Sequence, residues 1–392
     1  MVANQRSVES SFLQTEIFLL LIFLLLKAVR AVSWVLEAKL LAVYAFWNNK
    51  GGVGKSYLSF QVACEYARSH PEHKILVIDL CPQANCSSML LGGMVRGNNT
   101  LDQLSQANPR VTISGYLEDR VISPYVNPNS GANFILSPRQ YNSSIPTNLY
   151  LVTGDEQLEV QMARVSGLTE TGPQNAWQII HGWISDLIND VRNSWNVEEA
   201  TVFIDCNPSF TLYTEMAMSA SDRLIIPFSA DGSSKRAVRS VLALLYGISR
   251  FPGAQVSLFH TNSGRFRMSV PKIYCYVGNR LTQANYSSAA AFRLVVNDIG
   301  QEIYNVWNAN PNVFHIHPPG TPIPASKTTF RQMFQFEVRD ANTASVVSAA
   351  LGIPIVNLGA GPHDLPGKRV VVNQTQLDVQ IPNVKALTQL IE

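Results

Sequence analysis

Apolar residues recur along this chain in two rhythms. Several short runs are almost continuously apolar: Leu41-Ala42-Val43-Tyr44-Ala45-Phe46-Trp47, Ile75-Leu76-Val77-Ile78-Asp79-Leu80, Thr201-Val202-Phe203-Ile204 and Leu224-Ile225-Ile226-Pro227. Without polar alternation, such runs predict strands covered on both faces, as in a parallel sheet. Asn148–Val152 and Lys272–Arg280 predict two more strands. Between the strands the apolar spacing changes to three and four. Leu58, Val62 and Tyr66 mark one face of a helix over Lys55–His70. Ile180, Trp183, Ile184 and Leu187 mark another over Trp177–Trp195, and Val238–Tyr246 and Val384–Ile391 predict two further helices. The alternation predicts an α/β fold: a doubly wound, mostly parallel sheet with helices on both faces and ligands at the strands' carboxyl ends.

Two stretches break the rhythm. Residues 92–139 are polar and rich in Asn, Ser, Gly and Pro, which reads as an insertion with few regular elements. Ahead of the first strand, Ile17–Leu26 is an unbroken apolar run followed by Lys27 and Arg30. A bilayer span needs about 20 such residues. Extending the run to Leu36 puts Lys27 near its centre, at roughly 3 kcal/mol. No small-residue cleavage site closes a signal peptide. Acidic Glu9 and Glu16 before the run and basic residues after it would leave the downstream chain on the cytoplasmic side. Three readings stay open: a leader outside the fold, an extra packed helix, and a membrane anchor through residues 17–36. The expected division is therefore 1–39, a hydrophobic extension, and 40–392, the folded domain.

The sharpest chemistry lies at Asn48-Asn49-Lys50-Gly51-Gly52-Val53-Gly54-Lys55-Ser56, between the first strand and the first helix. Glycines let the backbone curl so that successive N–H groups face phosphate oxygens. Lys55 then reaches the terminal phosphates and the Ser56 hydroxyl can ligate Mg²⁺. Asn49 stands where the usual phosphate loop begins with Gly, leaving the variant K-G-G-x-G-K-S with a second lysine, Lys50. Downstream, the strand ending in Asp205 presents a carboxylate where a phosphate-loop protein associates one with Mg²⁺.

Composition narrows the classes. At 392 residues and 46% hydrophobic, the chain can build one large α/β domain or two smaller ones. Its five cysteines are scattered with no C-x-x-C pair, so neither a disulfide framework nor a zinc or iron–sulfur site is expected, which fits a reducing compartment. The net charge of +2 hides an asymmetry, because residues 232–340 hold twelve Lys or Arg against four Asp or Glu. That basic segment fits either a polyanion partner or a solvated surface neutralised elsewhere.

Taken in order, four motifs resemble the ParA/MinD-type ATPases, the deviant P-loop family. They are Lys50-Gly51-Gly52-Val53-Gly54-Lys55-Ser56, Asp79-Leu80-Cys81-Pro82-Gln83-Ala84-Asn85, Ile204-Asp205-Cys206-Asn207-Pro208-Ser209 and Ile225-Ile226-Pro227. The resemblance runs from about Leu40 onward and is strongest to stand-alone ParA proteins of plasmid and chromosome partition. The missing cysteine pair disfavours the nitrogenase-reductase-like relatives, and no MinD-like membrane helix is evident near Leu390.

The resemblance implies ATP and Mg²⁺ as cofactors. The nucleotide would be held by Lys50, Gly51, Gly52, Val53, Gly54, Lys55, Ser56 and Tyr57, with Asn279 at the adenine and Arg280 beside it. Ser56 and Asp205 would hold the metal. Lys50 would cross a dimer interface to the partner's phosphates, and Lys50, Asp79 and the position of Cys81 would carry catalysis. Implied partners are a second copy on ATP binding, DNA bound without sequence reading, and a ParB-like or adaptor protein, in a cytoplasmic, nucleoid-associated setting. One departure matters. The family's second motif reads D-x-D-P-Q, and here its second Asp is Cys81. A thiol with a pKa of about 8.5 is a poor general base at neutral pH. ATP binding is thus better supported than fast hydrolysis, and the alternative function is a slowly hydrolysing nucleotide switch that signals to a protein partner.

Overall fold

The computed structural model describes residues 42–392 apart from 198–199, 250, 252 and 282–285. The 1–39 extension, its membrane reading and the contact expected of the Arg280 side chain lie outside the described residues. Among the described residues, no helix is long and apolar enough to cross a membrane.

The strands are β1 (Val43–Phe46), β2 (Lys74–Leu80), β3 (Leu149–Val152), β4 (Ala200–Cys206), β5 (Arg223–Phe228), β6 (Lys272–Leu281) and β7 (Gln335–Arg339). They pair in parallel throughout, in the order β3-β2-β4-β1-β5-β6-β7. Helices cover the sheet, so strands β1 and β4 are buried at every residue. This is the expected doubly wound α/β fold. A separate antiparallel hairpin, β8 (Gly361–Leu365) with β9 (Lys368–Val372), follows the sheet.

The first helix spans Lys55–Ser69, with Leu58, Val62 and Tyr66 buried as their spacing requires. Each such side chain contributes about 1.5–3 kcal/mol through burial. Ile180, Trp183, Ile184 and Leu187 are fully buried too, but their helix is broken at Gly182 into Ala176–His181 and Trp183–Trp195. The C-terminal helix begins earlier than its apolar pattern implies, at Gln374, and runs through Pro382 to Thr388.

The expectation of few regular elements in residues 92–139 is overturned. This stretch holds helices Gly93–Gln106 and Ile113–Ile122 and two short 3₁₀ turns, and it buries Ile113, Tyr116, Leu117 and Phe134. The polar composition belongs to the exposed faces, and the few apolar residues at helical spacing carry the packing.

Deleting residues 1–38 is expected to leave a soluble, nucleotide-binding chain, because sheet pairing begins at Val43. Soluble expression with a nucleotide-binding assay checks this. An insoluble truncation would place the extension in the core.

Candidate nucleotide site

Sheet register brings the motifs together. Asp79 on β2 pairs with Asp205 on β4, and Asp205 in turn pairs with Phe46 at the end of β1. The loop after β1 therefore lies over the two carboxylates. Gly52 and Gly54 take φ of 74° and 79°, which a side chain would strain, so the loop can turn directly into the first helix. Gly54 is that helix's N-cap and gives it no side-chain cap, so the first-turn amides stay available to an anion.

Lys55 is 6% exposed, and its Nζ donates to the carbonyls of Lys50 at 2.9 Å and Asn48 at 3.4 Å. Burial pulls its pKa below the usual lysine value, against the pull of Asp205. An arriving phosphate relieves that cost, because it supplies the missing counter-charge. Asp205 is wholly buried. One carboxyl oxygen accepts from Ser59 at 3.2 Å and the group is also bonded by Ser56, while its Oδ2 has no hydrogen-bond partner among the described residues. Burial first, and then the neighbouring Asp79 charge, push its pKa up to about 8. A buried carboxylate oxygen without a partner, next to a serine hydroxyl, fits the hard oxygen shell of a divalent cation.

Asp79 stands apart from that role. Its Oδ1 accepts from the Cys81 N–H at 3.1 Å, and its Oδ2 accepts from the N–H and hydroxyl of Ser87 at 2.9 and 2.8 Å. Burial pushes its pKa up to about 6. The carboxyl thus ties the β2 loop to the helix Asn85–Leu90. Cys81 is 5% exposed, and burial followed by the Asp79 and Asp205 charges pushes its thiol up to about 12. It therefore stays protonated, with Sγ 3.9 Å from Asn207 Oδ1.

Two further expected residues make contacts within the chain. Asn279, placed at the adenine by resemblance, lines the cavity, and its Nδ2 donates to the loop carbonyls of Val53 at 2.9 Å and Gly54 at 3.4 Å. It props the loop from β6. Lys50, the residue expected to cross a dimer interface, bonds Asp231 of its own chain here, with Ser229 and Ser234 beside it. Burial opposes ionisation of Asp231, yet the bonds from Lys50, Ser229 and Ser233 outweigh it and hold the carboxyl well below the usual range. The Tyr57 hydroxyl donates to Gln380 at 2.7 Å.

A cavity of about 870 Å³ opens over the loop. Gly51, Gly52, Ser56, Cys81, Cys206 and Pro208 line it. So do residues from Asp340 to Ala350, which sequence reasoning misses, as it misses Asp231, Ser59, Ser87 and Asn207 around the site. The serine-rich Ser229-Ala230-Asp231-Gly232-Ser233-Ser234 run at the end of β5 was the one visible signal among these.

A family model described as an AAA domain matches residues 41–252, which covers every motif up to β5. The chain is 25% identical over 192 residues to a ParA family protein of Mycoplasma genitalium, across 48% of this chain and 59% of that one. A ParA family protein of Mycoplasma pneumoniae is 23% identical over 192 residues, across 48% of this chain and 58% of that one. The chain thus spans about three fifths of the length of these curated relatives. Among solved structures, apo McdA of Cyanothece shares the fold with a TM-score of 0.51 at 13% identity, covering 88% of this chain and 98% of that one. An ATP complex of a Cyanothece McdA variant gives 0.50 at 14% identity, covering 90% and 98%. With its loop, its paired carboxylates and this match, the chain belongs to the AAA-domain family, in its ParA/MinD-type P-loop form.

Proposed function

We propose that this chain binds ATP with Mg²⁺, dimerises on it, and positions DNA or another cargo through DNA contacts that read no sequence. The observation that carries the reading is the buried, unpartnered Asp205 Oδ2 beside Ser56, below a loop whose lysine is desolvated. Ser56 and Asp205 would hold the cation, which when bound neutralises charge on the β- and γ-phosphates. Lys55 and the loop amides would orient those phosphates. The basic segment supports a nucleic-acid partner in part. Lys235 and Arg239 are committed to Asp298 and Glu302, but Arg236, Arg265, Arg267, Lys272 and Arg293 are exposed. Affinity for DNA should then fall steeply with salt, because phosphate neutralisation releases counterions.

Lys50→Ala tests the assembly step. ATP should still bind with modest loss, since Lys55 holds the phosphates of its own subunit. The ATP-bound dimer should weaken, because the partner's phosphates lose a cation. Light scattering with a non-hydrolysable analogue should show a monomer where wild type dimerises. Equal dimerisation would leave Lys50 as a loop lysine tied to Asp231.

A second reading is favoured by Cys81. A thiol this firmly protonated supports slow turnover, and the chain would then act as a nucleotide-dependent switch or adaptor for a protein partner.

A further inference from the structure

A hydrogen-bond chain leaves the nucleotide site through Asn207, the second residue after Asp205. Asn207 Nδ2 donates to the Tyr213 hydroxyl at 2.7 Å, and that hydroxyl donates to Glu159 Oε1 at 3.0 Å. The directions are forced. A carboxylate only accepts, and a tyrosine hydroxyl has a single proton. Once that proton goes to Glu159, the tyrosine oxygen can only accept from Asn207. The amide NH₂ must therefore face Tyr213, and the carbonyl must face Cys81. Tyr213 is 1% exposed, and burial raises its pKa, so the hydroxyl keeps its proton.

This fixes what the site offers to a water molecule. Asp79 already accepts from the N–H groups of Cys81, Cys86 and Ser87 and from the Ser87 hydroxyl, which fills its lone pairs, and the Cys81 thiol keeps its proton. Asn207 Oδ1 has two lone pairs, of which the thiol uses one at a long 3.9 Å. It lies against Cys81, and Cys81, Cys206 and Pro208 all line the cavity. We propose that Asn207 Oδ1 aligns the attacking water in ATP hydrolysis by this chain, and that Tyr213 and Glu159 are positioning residues that hold the amide in the required orientation. This rests on the ATPase reading of the site. In the step, the water oxygen bonds to the γ-phosphorus, and the bond from that phosphorus to the β,γ-bridging oxygen breaks. The bridging oxygen leaves with the electron pair as ADP. The water's proton passes to the phosphate product and then to solvent, because an amide oxygen is too weak a base to keep it. Asn207 thus supplies direction without basicity, which is compatible with turnover that is slow but not absent.

The test combines a fluorescent ATP analogue, to measure binding, with single-turnover hydrolysis at saturating ATP and Mg²⁺. Asn207→Ala should lower the rate about tenfold or more and leave affinity within about twofold. Tyr213→Phe keeps the ring in its buried site and removes only the hydroxyl. It frees the amide to turn over and should lower the rate about threefold or more, again at constant affinity. An Asn207→Ala rate within twofold of wild type overturns the proposal. So does a loss of affinity that accounts for the loss of rate in both variants, since that is the signature of a merely structural amide. Should Asn207→Ala not fold, Tyr213→Phe decides alone, and an unchanged rate refutes the orientation argument. A wild type that binds ATP without hydrolysing it overturns this inference only, whereas a wild type that binds no ATP removes the ATPase reading and this inference with it.

Discussion

Lys55→Ala is expected to abolish nucleotide binding. Lys55 is the buried cation of the loop, and its ammonium rests on the carbonyls of Lys50 and Asn48, where phosphate oxygens can replace them. A charge-assisted hydrogen bond contributes about 1.5–3 kcal/mol. Losing two to the β- and γ-phosphates therefore weakens binding by about 10²-fold or more, at 1.4 kcal/mol per tenfold. The alanine should also fold well, because it removes a desolvated charge from the start of the helix Lys55–Ser69. Isothermal titration with ATP and Mg²⁺ measures the effect. An affinity equal to wild type would sink the phosphate-loop assignment.

Cys81→Asp should raise turnover. A positioned general base is worth on the order of 10²–10⁴-fold, and a partial gain should still exceed about tenfold on that scale. Cys81 sits at the end of β2 facing the cavity, and the carboxylate is only slightly larger than the thiol. Affinity for ATP should hold or fall slightly, because the new charge approaches the γ-phosphate. The new carboxylate would also meet Asn207 Oδ1, and two acceptors repel unless a water donates one proton to each. Such a water is the one hydrolysis needs. Single-turnover rates with and without DNA decide the matter. An unchanged rate in both conditions means that Cys81 only packs.

The part of the fold legible in sequence is the part built from continuous apolar runs. Strands β1, β2, β4 and β5 are buried on both faces, so composition alone marks them. Residues 335–339 and 361–372 form strands β7, β8 and β9 that are half exposed, and Gln335-Phe336-Glu337-Val338-Arg339 carries too little apolar signal to stand out. The helix Tyr286–Ala309 is inconspicuous for a similar reason, since alanine and serine dilute its first turns. In the site, the loop and Asp205 were legible because their spacing is local. Ser87, Asp231 and Gln380 were not, because strand order and helix packing bring them in from distant positions. Asn279 lies at the end of β6, a position legible in sequence, whereas the bonds of its Nδ2 to the loop backbone are not.

If subunits pair through Lys50 as proposed, its bond to Asp231 makes assembly a competition. A lysine that reaches a partner's phosphates must first leave a carboxylate in its own chain, so the dimer gains only the difference between two ion pairs. The contact between Lys50 and Asp231 lies near the surface, where ionic strength of about 0.15 M screens charges over roughly 8 Å. Added salt weakens the contact that holds Lys50 at home and the contact that would hold it abroad. The two effects oppose each other, so such pairing of subunits would respond less to salt than attachment to a polyanion does. The same exchange sets a direction in time, because Lys50 becomes available only while something more strongly anionic than Asp231 is within its reach.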